Sequence, residues 1–375
     1  MKKTLSLALC ALLLAGLAAC GGSPAPSSSS APAPSSSASS SAPAPDPMRP
    51  ATLTGLAVPM DYAGGKRIAA VVVDNHPNAR PQRGLSSADI LFEVLVEGGI
   101  TRFMALYEDY QNMPVTGPVR SGRDTFLQLC MAYQPLFLCD GYSQTLRQYI
   151  SDYEYDELEL GRHRADVIFV DEERPGDPLY ANYTSGTLLA QAVQTHNIDD
   201  ERQYNSTFFH FVPYDDARAL ANTGADSLVI AHSEDYLTTF ALNGTTGRYE
   251  MRQNTPREGN ATTPTVDENN SAQLNFVNLL VLFAEMPAYN GMTEDVRDVQ
   301  FGLGGVGYYF YNGDWERIRW MKDSPLHTLE LVEFEDHVTP VQLNAGNTYV
   351  ALVDVEQAAQ FAFGPAGAEA RLGDG

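Results

Sequence analysis

The sequence predicts an α+β or α/β N-terminal domain, a mixed sheet with helices, followed by a β-rich C-terminal domain. Three observations carry this reading. Between about residues 66 and 196, short apolar runs alternate with amphipathic stretches, the rhythm of strand and helix around a shared sheet. After residue 226 the runs become almost wholly strand-like, with turn residues such as Asn243-Gly244 and Asn312-Gly313-Asp314 between them. Both ends of the 375-residue chain differ in composition from this body.

The first twenty residues hold Lys2 and Lys3, then the apolar run LSLALCALLLAGLAA, then Cys20, which is the order of a secretory signal. A membrane-spanning helix needs ~20 apolar residues, and this run stops short of that. Leu17-Ala18-Ala19-Cys20 resembles the lipobox of bacterial lipoproteins, so residues 1–20 read as a lipoprotein signal peptide and Cys20 as the lipidated first residue of the mature chain. Acyl chains such as palmitate on Cys20 would anchor the protein to the extracytoplasmic face of the cell membrane. Residues 21–50 are almost wholly Ser, Pro, Ala and Gly, cannot bury enough apolar surface to offset ordering entropy, and are expected as a disordered tether. The expected N-terminal domain is 51–215, the C-terminal domain 216–358, and 359–375, rich in Ala and Gly, a flexible tail.

In chain order, RIAAVVVDN reads as a buried strand because three consecutive valines favour a pleated surface. ADILFEVLV and TRFMALYED flank Gly98-Gly99 as a hairpin, with Ile90, Phe92, Val94 and Val96 on one face and Asp89, Glu93 and Glu97 on the other. The same carboxylates also fall at helical spacing, so a helix there stays open. RDTFLQLCMAY reads as helix, PLFLCD as strand, SQTLRQYISDY as helix, DVIFVD as strand and SGTLLAQAVQTH as helix. The second half supplies SLVIAHS, TTFALN, RYEMRQN, NFVNLLVLFAEM, GVGYYFYNG, DWERIRWM, HTLELVEF and NTYVALVDV as strands, with 254–270 as a long exposed loop. Trp315 and Trp320, at odd separation on one strand, should face opposite sides.

Charge excludes one class of partner. With 24 basic against 47 acidic residues the net charge is −23, which opposes nucleic-acid binding, since phosphate recognition rests on surplus Lys and Arg. No HExxH, CxxC or EF-hand loop is present, so no motif supports a metal or cofactor. The string Gly302-Leu303-Gly304-Gly305-Val306-Gly307 fits a dinucleotide pattern, but strand rather than helix follows it, and close strand packing explains it better. Ser143 sits where a nucleophile elbow would place it, yet Thr145 replaces the second glycine and helix capping is the better reading. Cys130 and Cys139, in apolar runs, read as buried thiols.

The chemistry concentrates in residues 74–123, where Arg80, Arg83, Arg102, Arg120 and Arg123 meet Asp74, Asp89, Glu93, Glu97, Glu108 and Asp109. Asp74, Asn75 and His76 follow an apolar strand, the end at which open α/β sheets build sites. The turn-rich Gly117-Pro118-Val119-Arg120-Ser121-Gly122-Arg123 runs into a helix, where backbone N–H groups and guanidinia favour an anion. The candidate ligand-binding set is Asp74, Asn75, His76, Arg80, Glu93, Glu97, Arg102, Arg120, Ser121 and Arg123, for a small anionic or wall-derived ligand or an envelope partner. The competing expectation is an envelope hydrolase with Asp74, His76 and Glu97 as acid/base groups. A third is that these arginines and carboxylates simply pair to fix the fold.

The strings DNHPNARPQRGLSSADILFEVLVEGGITRFMALYED and GPVRSGRDTFLQL, with weaker support from GVGYYFYNGDWERI and LNAGNTYVALV, resemble the YerB-like bacterial lipoproteins, a two-part family of domains of unknown function. The resemblance spans about residues 58–355. It implies a membrane-anchored extracytoplasmic lipoprotein and no established activity, so no catalytic residue is carried over. Relatives tend to show a His and glycines after the PLFL strand and Pro-His-Asn before the TS helix; here Cys139-Asp140-Gly141-Tyr142 and Pro178-Leu179-Tyr180-Ala181-Asn182 stand instead.

Overall fold

Valines and aromatics set strands where the chain carries them. The computed structural model describes residues 47–366 except 175, 205–206, 257–258, 260 and 293–294. The signal peptide, Cys20, most of the expected tether and residues 367–375 lie outside the described residues. In the first half, β1 (Ala69–Asp74), β2 (Ile90–Leu95), β3 (Thr101–Tyr107) and β4 (Leu136–Leu138) are wholly buried. Among them come α1 (Asp124–Cys130), α2 (Gln144–Asp152), α3 (Arg164–Val167) and α4 (Gly186–His196). The second half supplies β5 (Ser227–Ser233), β6 (Tyr236–Asn243), β7 (Arg248–Asn254), β8 (Asn278–Ala284), β9 (Gly305–Tyr311), β10 (Asp314–Met321), β11 (Glu330–Glu333), β12 (Thr348–Asp354) and β13 (Ala362–Gly364).

Among the described residues the largest sheet has ten strands: Asn222–Thr223, β10, β9, β8, β12, β2, β3, β1 and β4 in order, with β11 also on β10. β12 lies between β8 and β2 and runs parallel to both, so the sheet crosses from one half of the sequence into the other. β2 and β3 form the expected hairpin, pairing Ile90 with Leu106, and Gly98 turns the chain at φ +71°. With neighbours on both sides, β2 takes the strand option rather than the helical one. A second sheet of six strands joins Thr262–Pro264, β7, β6, β5 and β13 in order, with Asn275–Phe276 also on β7.

Period-two alternation sorts side chains between the two faces of the large sheet. Val72, Phe92, Met104, Val350 and Leu352 pack with Leu127 of α1 and Leu146 of α2. Val71, Leu91, Phe103, Tyr349 and Ala351 pack instead with Ile230, Phe240 and Met251 of the second sheet and Leu189 of α4. The result is a mixed sheet with helices in the N-terminal half and a β-rich C-terminal half.

Several expectations need correction. DVIFVD is only half strand: the Glu159 carboxylate caps the turn at Leu160–His163, helical geometry continues through α3 to Asp166 and Val167, and the chain turns extended from Ile168 into the strand Phe169–Val170. The 254–270 segment includes the strand Thr262–Pro264, and Asp267 is buried because its carboxylate accepts Gly84 N at 3.1 Å and Ser86 N at 2.9 Å. Met48–Pro50, assigned to the tether, pairs with Ala57–Pro59. Residues 362–364, assigned to the tail, form β13 on β5, because Phe363 and the preceding Phe361 complete an aromatic cluster with Phe283 (5.5 Å from Phe361) and Trp315 (4.9 Å from Phe363). Trp315 and Trp320 do face opposite sides, Trp320 buried among the helix-side residues and donating to Phe283 O at 2.9 Å.

Candidate functional site

The segment 117–123 reaches the site by splicing into the sheet where β1 and β4 diverge. Val119 bridges Val73, Arg120 N donates to Val72 O at 3.0 Å, and Asp140 N, just beyond β4, donates to Arg120 O at 3.0 Å. On the other side Arg83 bridges Gly117 and Asp74 N donates to Pro118 O at 2.9 Å. The loop 74–84 and the segment 117–123 therefore meet at the C-terminal ends of two parallel strands, the position at which α/β sheets leave a crevice.

Strand parity divides the candidate residues into two groups. Asp74 and Arg102 are paired positions on β1 and β3 and share the helix-side parity. Arg102 is 7% exposed, and its guanidinium donates to Ser121 O at 2.6 Å while its Nε has no hydrogen-bond partner among the described residues. Burial, then the facing Arg123, lowers its pKa to about 10. Arg120 Nε stands 3.1 Å from Asp74 Oδ2, an ion-pair distance off the hydrogen-bonding direction. Arg123 clamps Glu97 through both carboxylate oxygens, at 2.5 and 2.7 Å. Burial would raise the Glu97 pKa, but the Arg123 clamp holds it below its usual range. Three guanidinia thus face two carboxylates. Ser121 does not offer a free hydroxyl, since its Oγ donates to Asp140 O at 3.0 Å.

Asn75, Arg80 and Glu93 lie on the other face, beneath the second sheet. Glu93 has no exposed surface and accepts from Thr101 Oγ1 at 2.7 Å, Tyr349 OH at 2.6 Å, Asn75 Nδ2 at 3.1 Å, Thr238 Oγ1 at 2.9 Å and Gln253 Nε2 at 3.2 Å. His232 Nε2 stands 3.4 Å away. Burial alone would raise the Glu93 pKa; the facing His232 and the hydroxyls of Tyr349 and Thr101 outweigh it and hold the carboxyl below its usual range. Arg80 is fully engaged with Asn254 O at 2.7 Å, Tyr236 OH at 2.5 Å and Asn75 Oδ1 at 3.2 Å. Asn75, Arg80 and Glu93 therefore do not share a cleft with Arg120: strand alternation turns Asn75 and Glu93 to the other face, and Arg80, in the loop after Pro77–Ala79, is drawn there by its bonds to Asn75, Tyr236 and Asn254.

The acid/base trio is also not assembled as a relay. Asp74 Oδ1 accepts the backbone N–H of His76 at 2.9 Å, and the His76 ring accepts Asn78 N through Nδ1 at 3.1 Å and stacks on Tyr180 at 5.4 Å. Glu97 is held by Arg123. The helix-terminus argument weakens too, since α1 is only seven residues long; guanidinium charge, not a helix dipole, gives this site its sign.

Residues 53–199 match the family described as "Protein of unknown function (DUF3048) N-terminal domain", and residues 228–350 match its C-terminal domain. The chain belongs to the DUF3048 family. It is 29% identical over 275 residues to "Putative lipoprotein YerB" of Bacillus subtilis (strain 168), covering 72% of this chain and 78% of that one. The crystal structure of YerB protein from Bacillus subtilis has the same fold, with a TM-score of 0.67 and 24% identity over 81% of this chain and 96% of the other.

In this DUF3048 chain the segments 139–142 and 178–182 meet beside the arginines. Asn182 Nδ2 donates to Asp140 Oδ2 at 2.8 Å, Arg164 Nε reaches Asp140 Oδ1 at 2.8 Å, and Tyr180 covers His76. Ser143 caps α2, accepting Leu146 N at 3.0 Å. A Cβ on Gly305 would meet Phe283 O at 2.1 Å, so the glycine string serves close strand packing. Cys130 and Cys139 are free, buried thiols. Sequence reasoning missed His232, Thr238, Gln253 and Tyr349. The available signal was polar residues at inward positions of otherwise apolar strands.

Proposed function

We propose that this protein is an exported lipoprotein, anchored through Cys20 at the extracytoplasmic membrane face, whose folded body binds a small anionic ligand at Arg102, Arg120 and Arg123. The single observation that carries the binding reading is Arg102: a guanidinium 7% exposed, with Nε unpartnered among the described residues, beside Arg120 and Arg123 and facing the carboxylates of Asp74 and Glu97. A buried charge lacking full compensation costs several kcal/mol, and an entering carboxylate or phosphate offsets that cost through charge-assisted hydrogen bonds. The anchor reading rests on the Leu17-Ala18-Ala19-Cys20 string and is supported by the name of the YerB relative. Among the described residues no helix is long and apolar enough to cross a membrane. Outside the membrane, wall-derived sugar acids and peptides are ligands of suitable charge.

Calorimetry of the mature chain with phosphate, acetate and soluble muropeptides tests the site. Saturable binding by at least one of them is expected, weakened tenfold or more in Arg120→Ala, which removes the more accessible guanidinium. No binding at millimolar concentration, or undiminished affinity in Arg120→Ala, would sink the reading. For the anchor, Cys20→Ser should move the protein from the membrane fraction to the soluble fraction.

A further inference from the structure

No local motif marks a metal site in the sequence, yet the fold brings two imidazoles and a carboxylate together away from the arginine cluster. His163 ends the turn Leu160–His163, Asp166 lies in α3, and His196 lies in the last turn of α4. One ligand atom from each of the three lies within 4.8 Å of the other two. The rings of His163 and His196 stack at 3.6 Å with 15° between their planes, and Asp166 Oδ2 stands 2.8 Å from His196 Nε2. The nearby arginines are otherwise engaged, Arg162 with Asp156 O and Arg164 with Asp140.

We infer that His163, Asp166 and His196 form a binding site for a divalent transition-metal ion of the zinc class. Donor chemistry fixes the class: imidazole nitrogens suit Zn²⁺, Co²⁺ and Ni²⁺, whereas Mg²⁺ and Ca²⁺ require oxygen ligands. Two imidazoles and one carboxylate are three of the four ligands of tetrahedral zinc, leaving a position for water or an external group. An independent feature favours a cation at this place: His196 sits at the C-terminal end of the eleven-residue α4, where unpaired carbonyls concentrate negative charge. The three ligand atoms already lie within 4.8 Å of one another, and none of the three residues is buried, so an ion can reach them from solvent. Such an ion would tie α3 to the end of α4.

Titration of the mature chain with ZnCl2 by calorimetry, with MgCl2 as comparison, tests this directly. One equivalent of Zn²⁺ should bind, the thermal midpoint should rise with free Zn²⁺, and Mg²⁺ should produce neither effect. CoCl2 should give visible ligand-field bands of low coordination number. His163→Ala and His196→Ala should each weaken Zn²⁺ binding tenfold or more and abolish the cobalt bands, with the metal-free circular dichroism unchanged. The absence of stoichiometric Zn²⁺ binding would overturn the inference. So would Zn²⁺ affinity and cobalt bands that persist when His163→Ala and His196→Ala are combined, which would place the metal elsewhere. Because these residues lie outside the arginine cluster, either result is independent of anion binding.

Discussion

Glu93 shows how much a single buried charge organises. Asn75, Thr101 and Tyr349 bring donors to it from the large sheet, Thr238 and Gln253 from the second, and His232 faces it. Removing one partner of a buried charged pair costs about 3–5 kcal/mol, so Glu93→Gln should lower the urea midpoint by that equivalent at pH 7. The pH sign follows from its depressed pKa. In the unfolded chain the group titrates near 4.5; its contribution is full above that pH and is lost as pH falls through the lower folded value. The difference between wild type and Glu93→Gln should therefore be constant from pH 7 to 5 and shrink below pH 4.5. The arginine cluster was legible in sequence because its members come from adjoining strings. The Glu93 shell was not, since His232, Thr238 and Gln253 arrive from strands more than a hundred residues away. Period two separates Asp74 from Asn75, but only the second sheet decides that the odd side is interior.

At the scale of elements, strands rich in valine and aromatic residues were read with nearly correct bounds, because both faces of the large sheet are covered and the runs stay apolar. Short elements were not, since their conformation depends on a distant partner. β13 is the clearest case: AFG has no strand signal of its own and becomes one by pairing with Val229 and Leu228. Phe361 packs against Phe283, Tyr308 and Phe363. Truncating a buried Phe costs about 3–5 kcal/mol, so Phe361→Ala should shift the urea midpoint accordingly, whereas a free tail would leave it unchanged. Ahead of α3, the turn capped by Glu159 starts a helical run that takes in Asp166 and Val167, the first two residues of DVIFVD. Capping by a residue several positions upstream is hard to weigh against β-branched runs from sequence alone.

For the whole molecule, composition separated two halves correctly in kind: mixed first, β-rich second. Their joining was not legible, because a parallel pairing between β2 and β12 leaves no local turn signature. The shared sheet has a measurable outcome. Scanning calorimetry of the mature chain should show one cooperative transition, with calorimetric and van't Hoff enthalpies equal. Residues 51–215 expressed alone should be aggregation-prone, since the β2 edge loses its partner; a soluble fragment with a cooperative transition of its own would refute this. The insertion of β12 also orders events in time. The strand that completes the middle of the large sheet is the last of that sheet's strands in sequence, so the first three hundred residues emerge without the piece that closes their own sheet. Long-range closure of this kind is slow. A chain built this way stays open until nearly all of it has been delivered, which is the state a chain threaded through a membrane channel must keep.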